Sequence, residues 1–361
     1  MINLLNFNPI DTLKLRAIPS SNFIYKFSLI IFLIFFIVGF KSNDWPIVIQ
    51  LIPIYSSLLF LGLSHGAADH LCMWGFLKKQ SIKNKFFLIF LYFLISIAYL
   101  FFWFINPFFA MIFFLLITIY HWGRADYFTS TQLNKISFLR ERKLFTFTYS
   151  FFRGSFPILL PIYNHPDIYF SFIKTLSFNS NTSTIDIITS YSVYLVLIPI
   201  LIFIFHTLTV LFTVNTTSKN LRNIIYDFVE SIFLLIWFLV IPVLWAIGIY
   251  FVFWHSFRHA IRIMASDIKG SDYINRLSLI GIFKRWIEMT GLVNLIALIG
   301  IIFIFSINFS IDQNSFSILS KMMIGISILT LPHCILIEIM DQKFIKKMVA
   351  EEGLEPPTRG L

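Results

Sequence analysis

The sequence predicts an all-α fold, a polytopic transmembrane helix bundle, on three observations. Apolar residues make up 58% of the 361-residue chain and charged residues 13%, whereas a soluble domain keeps roughly a quarter of its residues charged. Apolar runs near the ~20 residues needed to cross the hydrocarbon layer recur along it. Finally, 28 Lys and Arg against 18 Asp and Glu give +10, a balance that would suit a nucleic-acid partner. The basic residues sit in short segments between apolar runs, however, which is the positive-inside signature of a membrane protein, so no nucleic-acid partner is expected.

Taken in order, eight spans are expected at 23–40, 47–66, 86–105, 107–122, 191–214, 228–256, 291–307 and 316–338. Asn106-Pro107 separates the third and fourth, because proline disfavours helix in the residue before it. The run 145–163 is interrupted by Arg153, Gly154, Pro157 and Pro161 and reads as a broken, re-entrant or interfacial segment. Lys14 and Arg16 precede span one; Lys78, Lys79, Lys83 and Lys85 follow span two; Arg140, Arg142 and Lys143 follow span four. Arg258, Arg262, Lys269, Arg276, Lys284 and Arg285 follow span six, and Lys343, Lys346 and Lys347 follow span eight. Eight crossings put all of these on one side, provided 145–163 does not cross. The expectation is a multi-pass protein of the cell inner membrane: a cytoplasmic segment 1–22 kept as an uncleaved anchor, one transmembrane domain 23–338, and a cytoplasmic tail 339–361. The two cysteines, Cys72 and Cys334, offer no disulfide framework and no CxxC site.

Ionisable side chains in apolar spans are expensive, so each is a functional candidate. Of eight histidines, only His165 stands in a polar loop. His65 ends span two in GLSHGAADH (62–70), His121 ends span four in YHWGRAD (120–126), and His255 and His259 end span six in WHSFRH (254–259). Those ends share one side in the eight-span plan. Residues four apart share a helical face, so His255 and His259 can reach one ion. A four-histidine metal centre of His65, His121, His255 and His259 follows. Asp69, four after His65, and Asp126, five after His121, are placed to hold the ring N–H that an ion leaves free; the competing reading pairs both with basic residues. Arg258 reads as the partner of an Asp. His333, after Pro332, reads as a residue behind the ligands or an auxiliary ligand; His206 reads as an interhelical hydrogen bond, and His70 falls outside the ligand set. Tyr120, Trp122, Trp245, Trp254 and Phe257 flank the proposed ligands and are expected to line a substrate tunnel.

An all-imidazole set suits iron, copper or zinc and argues against magnesium or calcium. Zinc would be saturated by four histidines. Iron(II) takes six ligands, which leaves two positions for O₂ beside an apolar substrate. HEXXH is absent, and so is a His-His pair of the di-iron type. The residues therefore point to a mononuclear iron oxygenase acting on a lipid.

The motifs GLSHGAADH, YHWGRAD, FWHSFRH (253–259) and LPH (331–333), in that order, resemble the Brp/Blh family of membrane carotenoid oxygenases. The resemblance runs from span two to span eight. It implies Fe(2+)-dependent cleavage of β-carotene by O₂ at the central double bond, giving two retinal, with His65, His121, His255 and His259 as ligands. It also implies a rhodopsin-type protein as the recipient of retinal. Such a substrate would enter laterally from the bilayer. Two other readings stand beside it: a bis-histidine haem protein of electron transfer, and an oxygenase of another lipid or polyene. A proton-relay transporter fits less well, since the motifs gather at one boundary and not at mid-membrane.

Overall fold

A computed structural model describes residues 21–41, 45–59, 61–76, 82–132, 136–140, 142–179, 181–214, 218–265, 267–306 and 316–351. The expected segment 1–22 lies almost wholly outside them, and of the expected tail 339–361 the residues 352–361 do, while 339–351 continue the last helix. No strand occurs among the described residues. The helices are α1 Ser21–Gly39, α2 Ile47–Gln50, α3 Ile52–Leu59, α4 Gly62–Ala67, α5 Asp69–Phe76, α6 Ile82–Ile105, α7 Pro107–Gln132, α8 Lys143–Leu159, α9 Pro166–Leu176 and α10 Thr182–Ser190. There follow α11 Ser192–Thr213, α12 Ser218–Val240, α13 Val243–Ile249, a π-helical turn Tyr250–Ser256, α14 Phe257–Ala265, α15 Ile268–Asn275, α16 Leu279–Ser306 and α17 Ser317–Glu351.

Six described stretches are long and apolar enough to cross a membrane: Phe86–Ile105, Pro107–Thr131, Ser192–Thr213, Leu221–Val240, Leu279–Phe303 and Ser317–Gln342. The chain is thus an all-α, multi-pass membrane protein. Several expected boundaries move. The run 47–66 is not one helix but three short pieces, α2 to α4. The helix expected over 107–122 runs on to Gln132, and the one expected from 291 begins at Leu279. Both gains carry charges, Arg124 and Asp126 in one and Lys284, Arg285 and Glu288 in the other, of which Asp126 and Arg285 are buried, and hydropathy alone does not look for helix there.

Two further differences offset each other. The run 145–163 is not broken: α8 passes through Pro157 and ends in a 3₁₀ turn at Leu160–Ile162. It lies antiparallel to α7 at very close range. A Cβ on Gly123 would meet the Ser150 carbonyl oxygen at 1.7 Å, and one on Gly154 would meet that of Ile119 at 1.8 Å, so only glycine permits this crossing. The run 228–256, conversely, is two rods: the chain turns at Ile241-Pro242, and Trp237 donates from its Nε1 to the Ala246 carbonyl across the bend. Each difference adds one reversal of direction. In consequence α7 still runs parallel to the 250–265 segment, with His121 beside His255 and Phe128 beside Arg262.

A layer of charge fastens these rods. Arg153 of α8, fully buried, donates to Asp126 of α7 (2.9 Å), to Ser231 of α12 (3.3 Å) and to Glu230 of α12. Glu230 also accepts from Arg258 of α14 (3.3 Å). The Asp126 carboxylate accepts from Trp254 Nε1 at 3.2 Å, and Arg258 lies 3.4 Å over the Trp254 ring. Isolated, any of these charges would cost several kcal/mol to bury; meshed, they tie four helices together.

Candidate metal centre and its cavity

Five histidines meet inside the bundle. His65 comes from α4, His121 from α7, His255 from the π-helical turn, His259 from α14 and His333 from α17. All five are buried, none more than 7% exposed. Ring centroids lie 5.3 Å apart for His65 and His255, 5.6 Å for His65 and His259, and 5.1 Å for His65 and His333. His121 stands 4.9 Å from His255 and 4.8 Å from His333. Ligand atoms of His65, His121 and His333 all fall within 4.8 Å of one another. Rings bound to a common ion at the usual ~2.1 Å nitrogen distance approach each other on this scale.

The π-helical turn explains how one strand of chain supplies two rings. A turn closed by i→i+5 bonds holds more residues than the 3.6 of an α-helix, so residues four apart approach eclipse. Phe251, His255 and His259 accordingly form a column, with interplanar angles of 14° and 10° and centroids 6.1 Å and 6.4 Å apart.

The hydrogen bonds show which ring nitrogens are spoken for. His333 Nδ1 lies 2.8 Å from Asp69 Oδ1, and Tyr92 donates to Asp69 Oδ2 at 2.9 Å. A carboxylate only accepts, so the His333 proton is on Nδ1 and its Nε2 lone pair is free to face the cluster. His65 Nδ1 donates to the Leu61 carbonyl at 3.3 Å, with the same consequence. His259 Nδ1 is 3.4 Å from Arg262 Nη2, and because a guanidinium only donates, this contact leaves the His259 proton on Nε2. The Nε2 atoms of His121, His255, His259 and His333 are buried without any hydrogen-bond partner. Buried polar atoms almost always have partners. Four orphaned nitrogens in one cluster, with only imidazole donors around them, fit a metal ion of the iron, copper or zinc class.

Among the carboxylates and basic residues, placement differs from expectation. Asp69 serves His333 rather than His65, because the short α5 starts at Asp69 and turns it toward α17. Asp126 is drawn away from His121 to Arg153 and Trp254. The partner of Arg258 is Glu230, with Ser28, and not an aspartate. His206 bonds Thr148 of α8 at 2.7 Å, and His70 Nδ1 lies 2.7 Å from the Ala67 carbonyl oxygen.

Beside the histidines lies an apolar cavity of about 720 Å³, within the ~300–1,000 Å³ range of sites that enclose a sizeable organic ligand. His65, His121, His255 and His333 stand in its wall. Of the expected tunnel aromatics, Trp122 lines it. Tyr120 is on the outer surface; Trp245 packs on Trp45 and Phe35; Trp254 lies under the charge layer; Phe257 faces Phe27. Each is one or two positions from a histidine in sequence, or further along, and so points around the helix from it. The wall comes from residues three, four and seven positions before a histidine: Thr118 and Phe114 before His121, and Phe251 before His255. Helical period toward mid-span was the signal that could have found them.

The family profile described as Beta-carotene 15,15'-dioxygenase matches residues 56–341. A curated relative, the "Probable beta-carotene 15,15'-dioxygenase Blh" of Halobacterium salinarum (strain ATCC 700922 / JCM 11081 / NRC-1), is 26% identical over 299 residues, covering 80% of this chain and 84% of the relative. No solved structure matches.

Proposed function

The chain belongs to the beta-carotene 15,15'-dioxygenase family, and we propose on that footing that it cleaves β-carotene at its central double bond with O₂, giving two retinal. The enzyme class is carotenoid-cleaving dioxygenase. The observation that carries the site is the group of orphaned imidazole nitrogens in the wall of an apolar cavity. His65, His121, His255 and His333 would hold iron(II), with His259, the ligand expected from the sequence, kept beside them with its Nδ1 on Arg262. Iron(II) supplies the one-electron chemistry that O₂ and an unactivated polyene require and that side chains do not offer. The stoichiometry closes on one O₂: the C=C bond breaks, each carbon ends as an aldehyde, and no outside reductant is consumed.

The remaining work belongs to the chain. The apolar walls dissolve the polyene and exclude water, with Trp122, Phe114 and Phe251 packed against it. Asp69, itself steadied by Tyr92, keeps the His333 proton on Nδ1. The haem alternative is disfavoured by crowding, since whichever two rings were axial, the other histidines would stand where a macrocycle must lie. We place the protein in the cell inner membrane with both termini cytoplasmic, passing retinal to a rhodopsin-type protein.

Co-expression in a β-carotene-making cell tests this reading. Loss of orange colour with retinal in the extract is the expected result. Unchanged carotenoid beside folded, iron-loaded protein would overturn it.

A further inference from the structure

Four large apolar residues both line the cavity and are exposed on the outside of the bundle: Phe93 at 57%, Ile97 at 50%, Ile296 at 57% and Phe303 at 67%. All four belong to α6 or α16. The cavity's other walls, from α4, α7, α9, α13, the π-helical turn and α17, contribute buried or half-buried residues. α17 packs against both α6 and α16, whereas among the described residues these two make no substantial contact with each other. Gly300 of α16 lies at the same place, lining the cavity and exposed, and a Cβ there would meet nothing within 4 Å. Outside, α6 and α16 present further bare apolar side chains, Phe90, Leu94, Leu292 and Ile299 among them, a face suited to lipid tails and not to water.

We infer that the cavity opens sideways into the lipid between α6 and α16, and that the carotenoid enters through this mouth, with Phe93 and Ile296 on its two jambs and Gly300 as the clearance between them. The inference rests on the proposed substrate. A fully apolar polyene dissolves in the bilayer and gains nothing from an aqueous approach, because every part of its surface favours hydrocarbon. The mouth would also set specificity: it admits an apolar rod end-on and offers no hydrogen-bonding side chain among its four exposed residues.

Reversible obstruction tests this in membranes. Phe93→Cys and Ile296→Cys would be labelled with a bulky methanethiosulfonate, then released with dithiothreitol. The native Cys72 and Cys334 are buried, and the unsubstituted enzyme given the same reagent measures any background. Phe212→Cys on α11, at a site 85% exposed and remote from the cavity, serves as the control. Expected is a fall of at least about tenfold in retinal formation at both mouth positions, with iron content unchanged, restoration by dithiothreitol, and no change at 212. Gly300→Trp should reproduce the block without reagent. Full labelling at 93 and 296 with rates within about twofold of the unlabelled variants, or a Gly300→Trp enzyme that is iron-loaded and fully active, overturns the inference. Failure of the unsubstituted enzyme to make retinal would instead count against the substrate.

Discussion

The bundle buries two polar clusters a few ångströms apart, and they are built on opposite terms. In the charge layer, the Arg153 guanidinium spends its three nitrogens on Asp126, Ser231 and Glu230. In the histidine cluster, four Nε2 atoms are buried with no hydrogen-bond partner. Trp254 and His255 are adjacent in sequence yet belong to different clusters, one bonded to Asp126 and the other facing His121. The lesson is that burial of a polar group does not mark function. What marks it is a cluster of buried groups whose bonding capacity is left unused together.

That contrast can be broken by substitution, and the largest effects should come at the histidines. His121→Ala or His333→Ala should abolish iron retention and lower turnover by at least ~100-fold, while helicity and elution in detergent stay unchanged, since the loss is of ligands and not of packing. A variant that keeps a full complement of iron would remove that residue from the centre. Next in size is the charge layer. Arg153→Met leaves Asp126 buried without its cation and Glu230 with Arg258 alone, and should cost ~3–5 kcal/mol of stability, read as a collapse in thermal resistance before any specific loss of iron. If Arg153→Met loses iron while melting normally, the two clusters are not separable.

Asp69→Asn sharpens the comparison because it sits on the border. It should weaken iron binding by ~10–100-fold with little change in melting temperature, and Tyr92→Phe should do the same more mildly. Chelation of the loaded enzyme should lower its melting temperature, and iron should restore it, since a ligand that binds only the folded state stabilises it. Smallest is Tyr120→Ala on the outer face, expected within ~0.5 kcal/mol in stability and near-normal in turnover. A large loss there would restore it to the substrate wall.

The sequence made the histidines legible because each breaks an apolar run at a cost the membrane exacts. It also made long helices such as α11 legible, since hydropathy alone defines them. It misread the partners. Asp69 is near His65 in sequence but near His333 in space, because α5 starts anew at that residue, and no spacing rule crosses such a break. His333 itself was left at the margin, as its partners His65, Asp69 and His121 are brought from more than 200 residues away. In 145–163 only the expected break within the helix is absent, for a related reason: Arg153, Gly154 and Pro157 look like interruptions to a lipid-facing helix, but each is at home in a helix packed against α7 and α12. Aromatics next to a histidine were taken for its surroundings, although one residue along a helix turns a side chain about 100° away.

The seven-residue π-helical turn has a consequence for how this enzyme could be lost or made. Deleting one residue between Tyr250 and Trp254 would let the segment relax into ordinary α-helix, with better hydrogen-bond geometry. His255 would then be swung around the axis and out of the ring of imidazoles. Regularity and chemistry are opposed at this one turn, so a single-codon deletion there should yield a well-behaved membrane protein that does nothing, and a single-codon insertion in such an inert ancestor is the shortest route back.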